Sequence, residues 1–311
     1  MLDLVLLAKA LLIGGLIAAA VMLLATWGAP RPWRRSACWS WAIGAGVLAA
    51  SGAIDQWPHW PALEDRARFL TVLVPLILVV ETVTATMRST RVVWIVRLAL
   101  AAVVAPIVLH NTVYLAELKG RNTAEWPHSQ VTIVLCGLAA LLTLVWGMLS
   151  WLQSRTSTPA VLWVLFLDAL ATALTVMLSG YYRGGLMGLG LAGALAGATL
   201  ASYIAQPQSR TSGNLGMCVI GIFAVVLMGR FFGTLSTGLA ACLLLSPLLA
   251  WTAQLPRMRT LAPGWRGTGR LACVVVPLIV VVFVAQRKFT AASTARSRPS
   301  EPTAIWDLIE K

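Results

Sequence analysis

Apolar stretches close to the ~20 residues that cross a bilayer as one helix recur along the whole chain. They are continuous and lack the alternation that is typical of β-barrel strands. Only 11% of the 311 residues are charged, against roughly 25% in a typical soluble domain, so there is too little polar sequence to cover a soluble fold. In lipid, backbone polar groups must be satisfied within helices. The sequence therefore predicts an all-α, polytopic integral membrane helix bundle with short loops, whose main partner is the lipid bilayer.

About ten transmembrane helices give the best division of the chain, and counts of nine or eleven stay open. Residues 1–287 are predicted to form a single transmembrane domain. Residues 288–311 are predicted to be a flexible basic tail with a short C-terminal apolar patch, which is either an interfacial helix or a docking peptide for a partner. The predicted spans are 5–27, 37–54, 69–87, 92–110, 131–152, 159–181, 185–205, 215–231, 233–254 and 271–287.

Basic residues are distributed unevenly between the connectors. One alternating set holds arginine and no acid, whereas the connectors 55–68 and 111–130 mix acidic with basic residues. Short Lys/Arg-rich loops stay in the cytoplasm. We therefore expect a bacterial inner (plasma) membrane protein with its N-terminus outside, although ten spans would put the basic start of the tail outside as well. The net charge of +13 reflects this topology, and no nucleic acid is expected as a partner. The arginine-only connectors are 28–36, 88–91, 153–158, 206–214 and 256–270.

A few ionisable residues fall inside the predicted spans, where a charge costs at least ~2.5–3.5 kcal/mol and a functional role is the default hypothesis. Asp168 lies near the middle of the sixth span and has no partner nearby in the sequence. Two interpretations stay open for it: a transport or proton-relay site, and a hydrogen bond to a neighbouring helix.

Glu81 and Arg97 lie on consecutive spans joined by the short connector 88–91, each about six residues from it. At 1.5 Å per residue they are at the same depth. We predict an ion pair that locks this hairpin, with a gating or ion-coupling pair as the alternative. Pro75 and Pro106 on the same two spans predict bending there.

The tripeptide Trp-Pro-His occurs twice, each time before a span on the predicted outer face and after an acidic residue. In the structural interpretation, tryptophan anchors the interface and proline starts the next helix. The alternative is a paired site for a transition metal or haem, formed by Asp55, His59, Glu125 and His128. The two histidines lack ligand spacing, so the sequence predicts no cofactor and no bound metal.

The seventh predicted span is built largely of small residues. Gly184 and Gly188 are four positions apart, as are Gly193 and Gly197. Such faces let two helices approach closely. We therefore expect this helix at the centre of the bundle, or at a contact with another membrane subunit or a second copy of the chain.

The chain has no nucleophile motif, metal-ligand spacing or phosphate-binding loop, so an enzyme is not favoured. The best hypothesis is a permease-like transporter of a small solute or lipid, with Asp168 and the Glu81/Arg97 hairpin lining its path. One alternative is a non-catalytic membrane scaffold or subunit that assembles with partner membrane proteins. A second is an outer-face protein that handles a metal or haem.

Overall fold

The computed structural model describes most of the chain, and 91% of the described residues are helical with none in a strand. This confirms the predicted all-α class for the described part of the chain. The described residues are 4–28, 37–54, 57, 62, 64–87, 89–110, 112–115, 126–156, 158–205, 215–254 and 263–297.

Seven of the described helices are long and apolar enough to cross a membrane, which is compatible with an integral membrane helix bundle. These are α1, α3, α4, α5, α6, α7 and α10, whereas α2, α8 and α9 are shorter apolar helices. The bounds are α1 Leu4–Gly28, α2 Ala37–Ala53, α3 Asp65–Thr86, α4 Thr90–Val108, α5 His128–Arg155, α6 Thr158–Leu178, α7 Tyr182–Ala205, α8 Gly216–Phe231, α9 Thr237–Leu245 and α10 Pro263–Ser297.

Two of these helices change their hydrogen-bond register beside a proline. Helix α3 contains the π-helical segment Phe69–Leu73, just before Pro75. Helix α9 continues as the 3₁₀ segment Ser246–Gln254, which begins just before Pro247. Proline has no N–H to donate to the carbonyl four residues earlier, so the ladder cannot continue unchanged through these positions.

Helix α10 is longer than the sequence predicted. It runs to Ser297, so residues 288–297 are helical rather than part of a flexible tail. This segment holds lysine, arginine and alanine, which favour helix, and the next proline is Pro299. Residues 298–311, including the C-terminal apolar patch, lie outside the described residues.

Helix α7 lies at the centre of the described bundle and packs against α1, α2, α6 and α8. In the most apolar 18-residue stretch of this helix, 89% of the residues are buried inside the protein. Its small residues make that position possible, because a Cβ on Gly193 would lie 2.1 Å from the carbonyl oxygen of Leu11 in α1. On the other side, a Cβ on Gly188 would lie 2.9 Å from Ala173 in α6. Gly184 instead faces the ring of Tyr181, in the turn before α7.

Candidate functional site

Asp168 is buried in the middle of α6, where it is 1% exposed. Its Oδ1 accepts a hydrogen bond of 2.9 Å from the hydroxyl of Ser246, whereas Oδ2 has no partner among the described residues. A cavity of about 10 Å³ adjoins the carboxyl group and is otherwise lined by apolar side chains of α5, α6, α8, α9 and Pro247. That volume is close to the minimum for a single water molecule. The structure thus places Asp168 in a hydrogen bond between helices, and the described cavity beside it is too small for a solute.

Ser246 stands where α9 breaks, and its hydroxyl faces two acceptors. The first acceptor is Asp168, and the second is the carbonyl oxygen of Leu243, which lies 3.1 Å from the Ser246 hydroxyl oxygen. That carbonyl would normally accept from the residue four positions on, which is Pro247 and has no N–H. A hydroxyl carries one proton, so the two acceptors compete for it. A protonated Asp168 would remove the competition, because it would donate to Ser246 and leave the Ser246 proton for Leu243.

The polar groups of α6 continue along one face of the helix. The hydroxyls of Thr172 and Thr175, one and two turns beyond Asp168, are buried without a hydrogen-bond partner among the described residues. Buried polar groups are normally satisfied, so each exception calls for an explanation. Together with Oδ2 of Asp168, these hydroxyls form a column of unsatisfied polar atoms in an otherwise apolar core.

We expect Ser246→Ala to lower the free energy of unfolding by about 1–3 kcal/mol, because it leaves the buried Asp168 carboxyl without its donor. Asp168→Asn keeps the shape and a hydrogen bond to Ser246, so we expect a change of less than about 1 kcal/mol. Unfolding in detergent, followed by circular dichroism, measures both. Ser51→Ala is the control, since the described hydrogen bond of the buried Ser51 hydroxyl runs to a carbonyl in its own helix. If Ser246→Ala and Ser51→Ala lower the free energy of unfolding equally, the hydrogen bond to Asp168 contributes no more than a hydrogen bond within one helix.

Glu81 and Arg97 come together between α3 and α4. Glu81 is fully buried and Arg97 is 7% exposed, and the arginine charge acts directly on the carboxyl group. No described residue donates a hydrogen bond of good geometry to either Glu81 oxygen. The two residues therefore interact electrostatically, and the predicted role of the pair in locking or gating the hairpin stays a prediction.

Aromatic rings complete the surroundings of Arg97. Its guanidinium lies 5.1 Å from the ring centre of Trp146 in α5 and 5.4 Å from that of Trp94. Cations are attracted to the faces of aromatic rings, most strongly where water is excluded. Neither tryptophan was singled out from the sequence. Trp94 lies three positions before Arg97 on α4, a helical spacing that could have indicated this contact, whereas Trp146 lies on the next long helix.

The Glu81 carboxyl also lies against the start of α8. A Cβ on Gly216, the first residue of that helix, would lie 2.1 Å from Oε1 of Glu81. The N-terminal end of a helix carries partial positive charge and favours a nearby carboxylate. The N-cap residue Leu215 provides no side-chain cap. Glu81 therefore offers α8 an acidic group from another helix, and only glycine leaves room for it.

Of the predicted outer-face site, Asp55, His59 and Glu125 lie outside the described residues, so the site stays a prediction. His128 begins α5 and is exposed. The second Trp-Pro-His copy has a packing role, since Trp126 contacts Tyr114 at 4.8 Å between ring centres. Among the described residues, no group of three or more His, Cys, Asp or Glu side chains could hold a metal ion.

A polar network lies at the start of α3, where Asp65 and Arg68 belong to the predicted connector 55–68. The hydroxyl of Tyr181 donates a 2.5 Å hydrogen bond to Oδ2 of Asp65. Burial and the adjacent Asp65 charge both raise the pKa of Tyr181, so the phenol keeps its proton and remains a donor. The guanidinium of Arg68 donates to the carbonyl oxygen of His110 at the end of α4. This network ties α3 to α4 and to the turn before α7.

An apolar groove of about 800 Å³ runs between α3 and α4. We call it the α3/α4 groove. Its walls are open at Val72 and Val103, which are 38% and 40% exposed. Arg68 and His110 lie at one end, and apart from them the described lining is apolar. The volume is within the range of ligand sites in proteins, roughly 300–1,000 Å³. The local sequence pattern does not predict this groove, because the groove depends on the spacing between two helices.

Comparison of the chain with protein-family models, curated proteins and solved structures gave no match.

Proposed function

We propose that this chain is a transporter of a lipid-like amphiphile, which enters the protein sideways from the bilayer through the α3/α4 groove. The proposal includes about ten spanning segments, with the three shorter apolar helices counted among them. It also includes the bacterial inner membrane, with the N-terminus outside and the arginine-rich connectors in the cytoplasm.

The main support for this proposal is the difference in volume and lining between the α3/α4 groove and the cavity at Asp168. The α3/α4 groove holds about 800 Å³ and is walled by apolar side chains on two membrane-length helices. The cavity at Asp168 holds about 10 Å³. A small polar solute needs a hydrated path with polar groups along it, whereas an acyl chain needs apolar walls that open towards lipid. The groove meets the second requirement, so we favour a lipid over a small solute.

The polar column of α6 supports transport rather than simple binding. Asp168 and the unsatisfied hydroxyls of Thr172 and Thr175 are buried where no described group satisfies them fully. Ionisable groups at membrane depth often mark relays and substrate paths. In this proposal, Asp168 carries a proton, and its exchange between carboxyl and carboxylate alters the hydrogen bond at the break in α9.

Filling the α3/α4 groove tests the proposal. We expect Val72→Trp combined with Val103→Trp to reduce bound lipid about tenfold, because two indole rings occupy the space that the chain would take. Native mass spectrometry of the purified protein measures the bound lipid. A fluorescent-lipid translocation assay in proteoliposomes measures transport. The control is Val79→Trp combined with Ile95→Trp, since these exposed residues lie on the same helices but do not line the groove.

Unchanged lipid binding and translocation in the groove-filling variant would contradict the proposal. The scaffold alternative loses one of its supports, because the small residues of α7 that it relied on pack against α1 of the same chain. A scaffold would keep its assembly with partner membrane proteins in Asp168→Asn, whereas a proton-dependent transporter would lose translocation. Asp168→Asn in the same proteoliposome assay therefore separates the two functions.

A further inference from the structure

We infer that the α3/α4 groove selects an anionic membrane lipid, with the acyl chain along the groove and the negatively charged head group at Arg68. This inference rests on the proposed function and names the class of its substrate.

Charge is the first argument. Among the described residues that line the groove, Arg68 is the one with a permanent charge, and none is a carboxylate. Arg68 is only 6% exposed, and its Nε has no hydrogen-bond partner among the described residues. Its one described hydrogen bond runs to the carbonyl oxygen of His110, which carries no formal charge. A guanidinium that lines the groove without a described carboxylate partner fits a phosphate or carboxylate oxygen.

The nearest acid does not neutralise Arg68 by direct contact. Asp65 acts on Arg68 electrostatically, but the structure describes no ion pair between them. Oδ2 of Asp65 is already engaged by the Tyr181 hydroxyl, and Glu64 is paired with Arg66. Both described acids at this end of α3 therefore have other partners. A head group with a negative charge would compensate Arg68 directly.

Length is the second argument. On α4, the lining runs from Val96 to Ile107, eleven positions apart, which corresponds to ~16 Å of helix at 1.5 Å per residue. One leaflet is half of the ~30 Å hydrocarbon core, or ~15 Å. The apolar part of the groove thus matches the depth of one leaflet. Arg68 and His110 then lie at head-group level on the predicted outer face.

Local backbone irregularity is the third argument. The π-helical segment Phe69–Leu73 follows Arg68 directly, and its Val72 lines the groove. Across from it, Pro106 interrupts the hydrogen bonds of α4 and also lines the groove. Single π-helical turns occur frequently at functional sites. Both irregularities lie at the Arg68 end, where the groove would have to admit a head group wider than a single chain.

The test compares lipid selectivity in nanodiscs made from equal amounts of phosphatidylglycerol and phosphatidylcholine. After extraction, native mass spectrometry gives the ratio of anionic to zwitterionic lipid that stays bound. We expect Arg68→Gln to lower this ratio about tenfold, since it removes a charge-assisted contact but keeps an amide donor for His110. Arg68→Lys should keep the preference. Arg66→Gln is the matched control, because Arg66 lies on the same turn and pairs with Glu64 instead of lining the groove.

An unchanged ratio in Arg68→Gln would overturn the inference and leave the proposed function intact, provided the groove-filling variant still loses lipid. An equal fall in Arg66→Gln would also overturn it, because the effect would then come from general surface charge. If Arg68→Gln does not fold, photoactivatable forms of the two lipids decide the question with the wild-type protein. Adducts of the anionic lipid should map to residues 72–80 and 96–107, and equal labelling by both lipids would overturn the inference.

Discussion

Arg97→Met is expected to destabilise the protein by about 3 kcal/mol, measured as the free energy of unfolding in a detergent titration. The substitution keeps most of the side-chain volume but leaves the fully buried Glu81 without the cation that acts on it. Removing one partner of a buried charged pair typically costs 3–5 kcal/mol, because the other charge is left uncompensated. The loss of contacts with the Trp94 and Trp146 rings acts in the same direction.

The double variant Arg97→Met with Glu81→Gln gives the decisive comparison. If the two residues act as a pair, removing the acid as well should restore much of the lost stability, and the two effects should not add. Arg91→Met is the control, since Arg91 lies near the start of the same helix and is exposed. Strict additivity in the double variant would show that the two residues are energetically independent, and the pairing hypothesis would fail.

Gly197→Ala is expected to destabilise the protein by at least about 2 kcal/mol. A Cβ at this position would lie 1.9 Å from the carbonyl oxygen of Gly15 in α1, and the backbone of that helix cannot move aside alone. Overpacking typically costs 1–3 kcal/mol and occasionally more. The sign is diagnostic, because alanine in place of glycine within a helix normally stabilises it by roughly 0.5–1 kcal/mol.

Gly137→Ala is the matched control for that substitution. Gly137 lies within α5, and a Cβ there would meet nothing within 4 Å. We therefore expect Gly137→Ala to be neutral or slightly stabilising in the same unfolding assay, opposite in sign to Gly197→Ala. A stabilising effect of Gly197→Ala would mean that α1 does not pack against α7 as described.

The sequence could predict the features that depend on local pattern. Long apolar stretches predict helices regardless of their neighbours, and the structure confirms the all-helical class with seven membrane-length helices. Burial of Asp168 and the shared depth of Glu81 and Arg97 follow from counting residues along neighbouring spans. Pro75 was visible as a helix-disturbing residue, and α3 is π-helical just before it. The helical turns of α10 beyond residue 287 were not predicted, because residues 288–297 are rich in serine and threonine and lack the apolar pattern of a membrane helix.

The partners of these residues could not be predicted, because they come from distant parts of the chain. Ser246 is 78 positions from Asp168, and Tyr181 is 116 positions from Asp65. Gly216 lies against Glu81 only because α8 starts at that depth. The α3/α4 groove is an empty space between two helices, and no residue type marks it. Sequence reasoning finds which side chains are unusual, whereas the packing of helices decides what each one meets.

Helix α10 is 35 residues long, which corresponds to ~52 Å at 1.5 Å per residue. The hydrocarbon core is only ~30 Å thick, so even a tilted helix of this length protrudes from it. In the proposed membrane arrangement, the exposed residues from Arg287 to Thr294 would form a rigid helical extension outside the hydrocarbon core. A protein that contacts this extension would be held away from the lipid rather than against it.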